Sequence, residues 1–200
     1  MRRIVRSANS ASRSAKPRRR IVGIDASLTS TGFAYRLDGE VRTGRVDTGK
    51  LRGSHRLYYI RERAREVIQA SRAEVVVLED YAFSRGPKSG RVFNIGEGGG
   101  VLKLLFWEMG VDVIIVSSTC LKRSITGKGR LSKGAAGKTE MMKAIQQLLG
   151  YDIRQSDEAD ALGLMAYGEA YLDQAGPALL LQRVRSGEPP TIEMGGKLKR

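Results

Sequence analysis

A mixed α/β sheet with helices on both faces is the architecture this sequence predicts, on three observations. Residues 33–49, FAYRLDGEVRTGRVDTG, alternate apolar and polar positions around Asp38-Gly39. Two β-branched runs, EVVVLED (74–80) and VDVIIVSS (111–118), read as strands covered on both faces. Helical periodicities lie between and after these runs, which is the pattern of a sheet joined by crossover helices.

Ile21-Val22-Gly23-Ile24 is an apolar run that stops on a carboxylate, Asp25, and reads as a strand over 20–25. Asp38-Gly39 is a two-residue hairpin signal, so three antiparallel strands follow one another. Residues 54–73 place Leu57, Ile60, Ala64, Val67 and Ile68 at helical spacing, with Arg56, Arg61, Arg63 and Arg65 mostly off that face. The stretch 84–91, SRGPKSGR, reads as a loop. Residues 92–109 read as a helix, although Gly96, Gly98, Gly99 and Gly100 each cost about 1 kcal/mol against Ala. Those glycines predict either a close-packed neighbour, a partner helix or a nucleic-acid backbone, or a kinked helix start. A glycine- and lysine-rich connection leads to a helix over 138–149 and another from Asp157 to about Asp173. Beyond Gly176 the pattern fades. The predicted organisation is a basic disordered tail (1–19), one domain (20–175) and a flexible C-terminal tail (176–200).

Composition narrows the chemistry. Two hundred residues, 41% of them hydrophobic, suit one domain with tails. No run reaches the roughly 18 apolar residues that a membrane span needs. The single Cys120 cannot form an internal disulfide, which fits a reducing compartment and excludes a cysteine-rich zinc site. The single His55 removes most catalytic triads and histidine-based metal sites. What remains is chemistry run on carboxylates, hydroxyls and lysines.

The formal net charge is +14, and residues 1–20, with eight Arg/Lys and no acid, supply +8 of it. The tail suits an arm that follows phosphate backbones, an organelle transit peptide, or a solvated leader. The expected location is the cytoplasm, with the mitochondrion as the alternative if the tail is a transit peptide. The other 180 residues still hold +6, which points to a polyanionic partner.

Against that balance the placement of the acids is informative. Asp25 ends the first predicted strand and Glu79 the fourth, and ligands in open α/β sheets gather beyond the carboxyl ends of strands. In QSDEADALGLMAYGEAYL (155–172), Ser156 is a good N-cap, and Asp157 and Asp160 lie one turn apart. Their face continues through Leu164, Tyr167 and Tyr171, the side expected to pack on the sheet, while Glu158 and Glu169 fall elsewhere. Singly, an acid at a helix start only favours the helix dipole. Four converging acids are different, because two unit charges 4 Å apart repel by roughly 4 kcal/mol at an effective dielectric near 20. Either some are protonated or a cation is present, and oxygen ligands select Mg²⁺ or Mn²⁺.

Asp25 followed by Thr31-Gly32, then LED at 78–80 and SDEADALG at 156–163, resemble the RuvC group of Holliday-junction resolvases, which are RNase H-like nucleases. The resemblance runs from about Ile21 to Tyr171. It implies an RNase H-like fold and a homodimer that nicks two strands of a four-way DNA junction symmetrically. It assigns Asp25, Glu79, Asp157 and Asp160 as ligands of two Mg²⁺ ions per site, with Mn²⁺ able to substitute. The basic loop of the family matches TCLKRSITGKGRLSKGAAGK (119–138), with six Lys/Arg and no acid. Lys122 and Lys138 then hold phosphates at the cut, with Lys133 competing for the role of Lys138, and Arg123, Lys128 and Arg130 hold the DNA arms. Tyr81 and Phe83 flank the position of the family's junction-probing aromatic, which Ala82 occupies here. Ala26-Ser27 replaces the usual Pro-Gly after the first acid, and Asp80 replaces the Gln after the second. These departures suggest a divergent member, of the kind a virus carries, so the resemblance implies the cytoplasm of a bacterium or of a viral host cell.

Three rival readings stay open: an RNase H-like nuclease of hybrids or flaps, a catalytically inactive junction-binding protein, and, remotely, an ATPase. GAAGKT (134–139) imitates a phosphate-cradling loop, yet Ser132 stands where that motif needs Gly and no strand directly precedes it. No nucleotide cofactor is expected.

Overall fold

The computed structural model describes residues 2–4, 18–80 and 91–196. Its seven strands are β1 (Arg2–Ile4), β2 (Ile21–Asp25), β3 (Ser30–Leu37), β4 (Glu40–Asp47), β5 (Val75–Glu79), β6 (Asp112–Val116) and β7 (Thr191–Glu193). Six helices join them: α1 (Gly53–Ser71), α2 (Arg91–Glu108), α3 (Ser118–Thr126), α4 (Ala135–Leu149), α5 (Ser156–Asp173) and α6 (Ala178–Arg185). The strands form one sheet in the order β1-β4-β3-β2-β5-β6-β7. β2, β3 and β4 are antiparallel as expected, while β2, β5 and β6 run parallel.

The alternation of each strand sorts its side chains between two cores. Val22, Ile24, Phe33, Val76 and Leu78 face α1 and α2, packing with Ile60, Val67, Leu102, Leu105 and Phe106. Ile21, Val75, Val77, Ile114 and Val116 face the other way, onto α3 to α6. Period two then carries Asp25 onto the face of Ile21, and Glu79 onto the face of Val75 and Val77. Both acids emerge on the α5 side.

α5 packs unusually close to that face, and glycine is the reason. A Cβ on Gly23 would lie 2.0 Å from the Ala161 carbonyl oxygen, and one on Gly32 would lie 2.0 Å from that of Asp157. On the helix side, a Cβ on Gly168 would come within 2.6 Å of Val77. The stripe against the sheet is therefore Asp157, Ala161, Met165 and Gly168, not the expected line through Leu164, Tyr167 and Tyr171. That line is also largely buried, because α3, α4 and α6 cover the far side of the helix; every residue from Ala161 to Ala170 is buried.

Two expectations fail outright. The basic connection after β6 contains a helix, α3, capped by the Ser117 side chain accepting from the Cys120 N–H. The C-terminal segment, expected to lose its pattern beyond Gly176, forms α6 and β7. Leu180 and Val184 enter the core, Arg183 donates to the Ile125 carbonyl at the end of α3 at 2.8 Å, and β7 pairs with the edge of β6. At the other terminus, residues 2–4 of the expected disordered tail pair with Val41–Thr43 of β4. Most of that tail, and the loop expected over 84–91 except Arg91, which opens α2, lie outside the described residues.

Candidate active site

Parallel pairing sets Ile24 beside Leu78, so the next residues along, Asp25 and Glu79, leave adjacent strands side by side. Asp25 also pairs with Gly32, whose bare Cα lets the first turn of α5 rest against it. That contact brings in Asp157 and, one turn on, Asp160. All four predicted acids are half-buried, and they sense one another. Burial first, and then the charges of Asp160, Glu79 and Asp157, push the Asp25 carboxyl well above the usual range; Lys138 opposes the shift. Burial, Glu79 and Asp157 likewise raise Asp160 to about 7, against Lys122 and Lys138. The cluster is thus short of positive charge although the whole chain is basic.

A hard divalent cation fits this donor set, which offers carboxylate oxygen and no histidine or thiolate. Among the described residues, no three Asp, Glu, His or Cys side chains are already gathered around one point. The acids form a coupled group and not a closed cage.

The predicted cations divide. Lys138, in the first turn of α4, reaches Ser156 Oγ at 3.1 Å and acts electrostatically on both Asp25 and Asp160. Lys122 on α3 donates to Ser118 Oγ at 2.6 Å and acts on Asp160. Arg123, Lys128, Arg130 and Lys133 are exposed along α3 and the loop before α4. Between the two competing lysines, Lys138 is the one whose charge reaches the acids in this way. Tyr81 and Phe83 lie outside the described residues. GAAGKT opens α4 after a loop that follows a helix, not a strand.

Sequence reasoning missed part of the site. Ser156 is not the N-cap, a place taken by Gln155; as the first helical residue it lies 3.2 Å from Asp157 Oδ1. Ser30 donates to Asp157 Oδ2. Nothing in the spacing of Ser30 marks it, since it stands 127 residues from the acid it contacts.

The sheet order and the acid cluster together define the RNase H-like class of nucleases. Residues 21–166 match the family model of the crossover junction endodeoxyribonuclease RuvC, and the chain belongs to that family. It is similar to the RuvC of Caldicellulosiruptor saccharolyticus, 30% identical over 72% of this chain and 89% of the relative. With that of Neorickettsia sennetsu it shares 31% identity over the same fractions. Among solved structures, Thermus thermophilus RuvC superposes with a TM-score of 0.61 at 24% identity, covering 79% of this chain and 99% of the other. The T. thermophilus RuvC in complex with a Holliday junction substrate gives 0.60 at 23% identity, over 80% and 99%. Among the described residues no helix is long and apolar enough to cross a membrane.

Proposed function

We propose that this protein is a Mg²⁺-dependent, structure-selective DNA endonuclease that resolves four-way junctions by paired symmetric nicks. The observation that carries the reading is the gathering of the family-motif acids Asp25, Glu79, Asp157 and Asp160 at one end of the sheet, where burial and then neighbouring carboxylates raise both Asp25 and Asp160. Asp25, Glu79, Asp157 and Asp160 hold the metal. Bound there, two Mg²⁺ ions, replaceable by Mn²⁺, supply acidity to a water and charge stabilisation at a departing 3′-oxygen. Lys138 neutralises the scissile phosphate as charge accumulates. Lys122, Arg123, Lys128, Arg130 and Lys133 contact the backbones of the arms, so affinity falls steeply with salt. Tyr81 and Phe83 are assigned to the DNA at the branch.

Paired cutting needs two sites, and α2 supports a homodimer. Leu104 and Trp107 are 55% and 48% exposed, and a Cβ on Gly96 or Gly100 would meet nothing within 4 Å. Glycine at such open helical positions costs stability without any packing return inside the chain. A second copy lying close against this face supplies the return. The relatives named above are bacterial, and we place this protein in a bacterial cytoplasm.

The test compares cleavage of a mobile four-way junction, an RNA–DNA hybrid and a linear duplex in Mg²⁺, with nick positions mapped. Symmetric nicks on strands of like polarity, confined to the junction, are expected. Preferential cutting of the hybrid would replace this reading, and inertness across a Mg²⁺ and Mn²⁺ titration would make the protein a junction binder. Sedimentation as a monomer at micromolar concentration would remove paired cutting.

A further inference from the structure

Both oxygens of Asp157 are met by a hydroxyl. Ser30, the first residue of β3, donates to Oδ2, and Ser156 lies 3.2 Å from Oδ1. Ser156 Oγ also accepts from Lys138 Nζ at 3.1 Å. Each hydroxyl has one proton to give, and both protons are accounted for at the carboxylate, leaving the Ser156 lone pairs for the ammonium. A continuous line of hydrogen bonds therefore runs Lys138–Ser156–Asp157–Ser30 and ties α4 and α5 to β3.

The anchor of this line is rigid. Ser30 pairs in register with Asp47, and the next residue, Thr31, is fully buried with its hydroxyl on the Ser27 carbonyl. Gly32 then fixes the distance between β3 and the backbone of Asp157. Lys138 is the opposite case: an exposed side chain with four rotatable carbons, which its own helix does not orient.

We propose that Ser30 and Ser156 are positioning residues: Ser30 sets the carboxylate of Asp157 for metal ligation, and Ser156 holds the Lys138 ammonium at the acid cluster. The inference rests on the nuclease reading above. Groups behind a metal ligand fix its direction, and their loss weakens metal binding or activity by about 10–100-fold.

The experiment uses the full chain and four variants, Ser30→Ala, Ser30→Thr, Ser156→Ala and Ser156→Thr. Mn²⁺ affinity is measured by calorimetry without DNA, beside melting temperature and the kcat and KM of junction nicking. Ser30→Ala should weaken Mn²⁺ binding about tenfold at a near-unchanged melting temperature, with Ser30→Thr restoring it. Ser156→Ala should lower kcat about tenfold at unchanged KM, with Ser156→Thr again restoring it. Wild-type Mn²⁺ affinity in Ser30→Ala, failure of either threonine to rescue, or a Ser156→Ala defect confined to KM would overturn the proposal. A wild-type chain that neither binds Mn²⁺ nor nicks removes the nuclease reading and this inference together. Normal wild-type behaviour with indifferent alanine variants removes the inference alone.

Discussion

The seam between α5 and the sheet holds two kinds of acid, and the contrast shows how a fold separates packing from chemistry. Glu158 and Glu169 are each 8% exposed, and each has a partner inside the fold. Thr43 donates to Glu158 at 2.7 Å, and Arg36 donates twice to Glu169, at 2.5 and 3.1 Å. Burial works against the Arg36 charge, but Glu169 outweighs it and the guanidinium pKa moves up. Asp25, at the end of β2, and Asp160, two residues from Glu158, have other carboxylates as their main charged neighbours; burial first, and then that company, pushes both up. An acid with a built-in partner completes a core. An acid whose company is more acid stores repulsion that a cation can relieve.

The largest effect that could break this contrast is at Asp25. Asp25→Asn should lower nicking about 10³-fold or more while preserving or tightening junction binding, because it removes repulsion of phosphate. Cleavage at the wild-type rate in Mg²⁺ would strip the cluster of its assigned role. Next is Glu169→Gln, which leaves Arg36 without its counter-charge. Removing one partner of a fully buried pair costs about 3–5 kcal/mol, and the 32% exposure of the Arg36 side chain reduces that to about 2 kcal/mol. Melting should fall by about 4–8 °C with the nicking rate at 25 °C unchanged; a matching loss of activity would merge the two kinds of acid into one.

A smaller effect follows from pH. Asp160 titrates near 7 in the folded protein and near 3.8 when unfolded, and Asp25 is raised in the same direction. Between those values the native state binds more protons than the unfolded one, so stability falls as pH rises from about 4 to 7. The metal-free protein should melt several degrees lower at pH 8 than at pH 5, and saturating Mg²⁺ should narrow the gap by binding the ionised cluster. A metal-free melting temperature that rises over this interval would contradict the repulsion. A last pair of variants sharpens the roles of the lysines. Lys138→Ala should lower kcat about 10²-fold, whereas Lys133→Ala should change it by less than about twofold and flatten the salt dependence of binding by about one phosphate. Equal losses would return the two lysines to a tie.

Much of the fold was legible because strand and helix periods are local. The hairpin at Asp38-Gly39, the runs ending at Asp25 and Glu79, and the long helices all announced themselves. α3 did not, because six Lys/Arg within 119–138 made the segment read as a solvated loop while Cys120, Leu121 and Ile125 supplied its buried face. α6 and β7 are eight and three residues long, too short for periodicity to rise above composition. Their order comes from what they touch, the core beneath Leu180 and Val184 and the open edge of β6.

The identity of the acids and the strand face on which Asp25 and Glu79 emerge are written into the chain order, since alternation in a strand needs only near neighbours. Their assembly into one charged cluster is not. It depends on Gly23 and Gly32 admitting the backbone of α5, on Ser30 meeting an aspartate 127 residues away, and on Lys138 in place of Lys133 facing the acids. Those are through-space distances, and no local periodicity encodes a distance between segments that meet only when the chain folds.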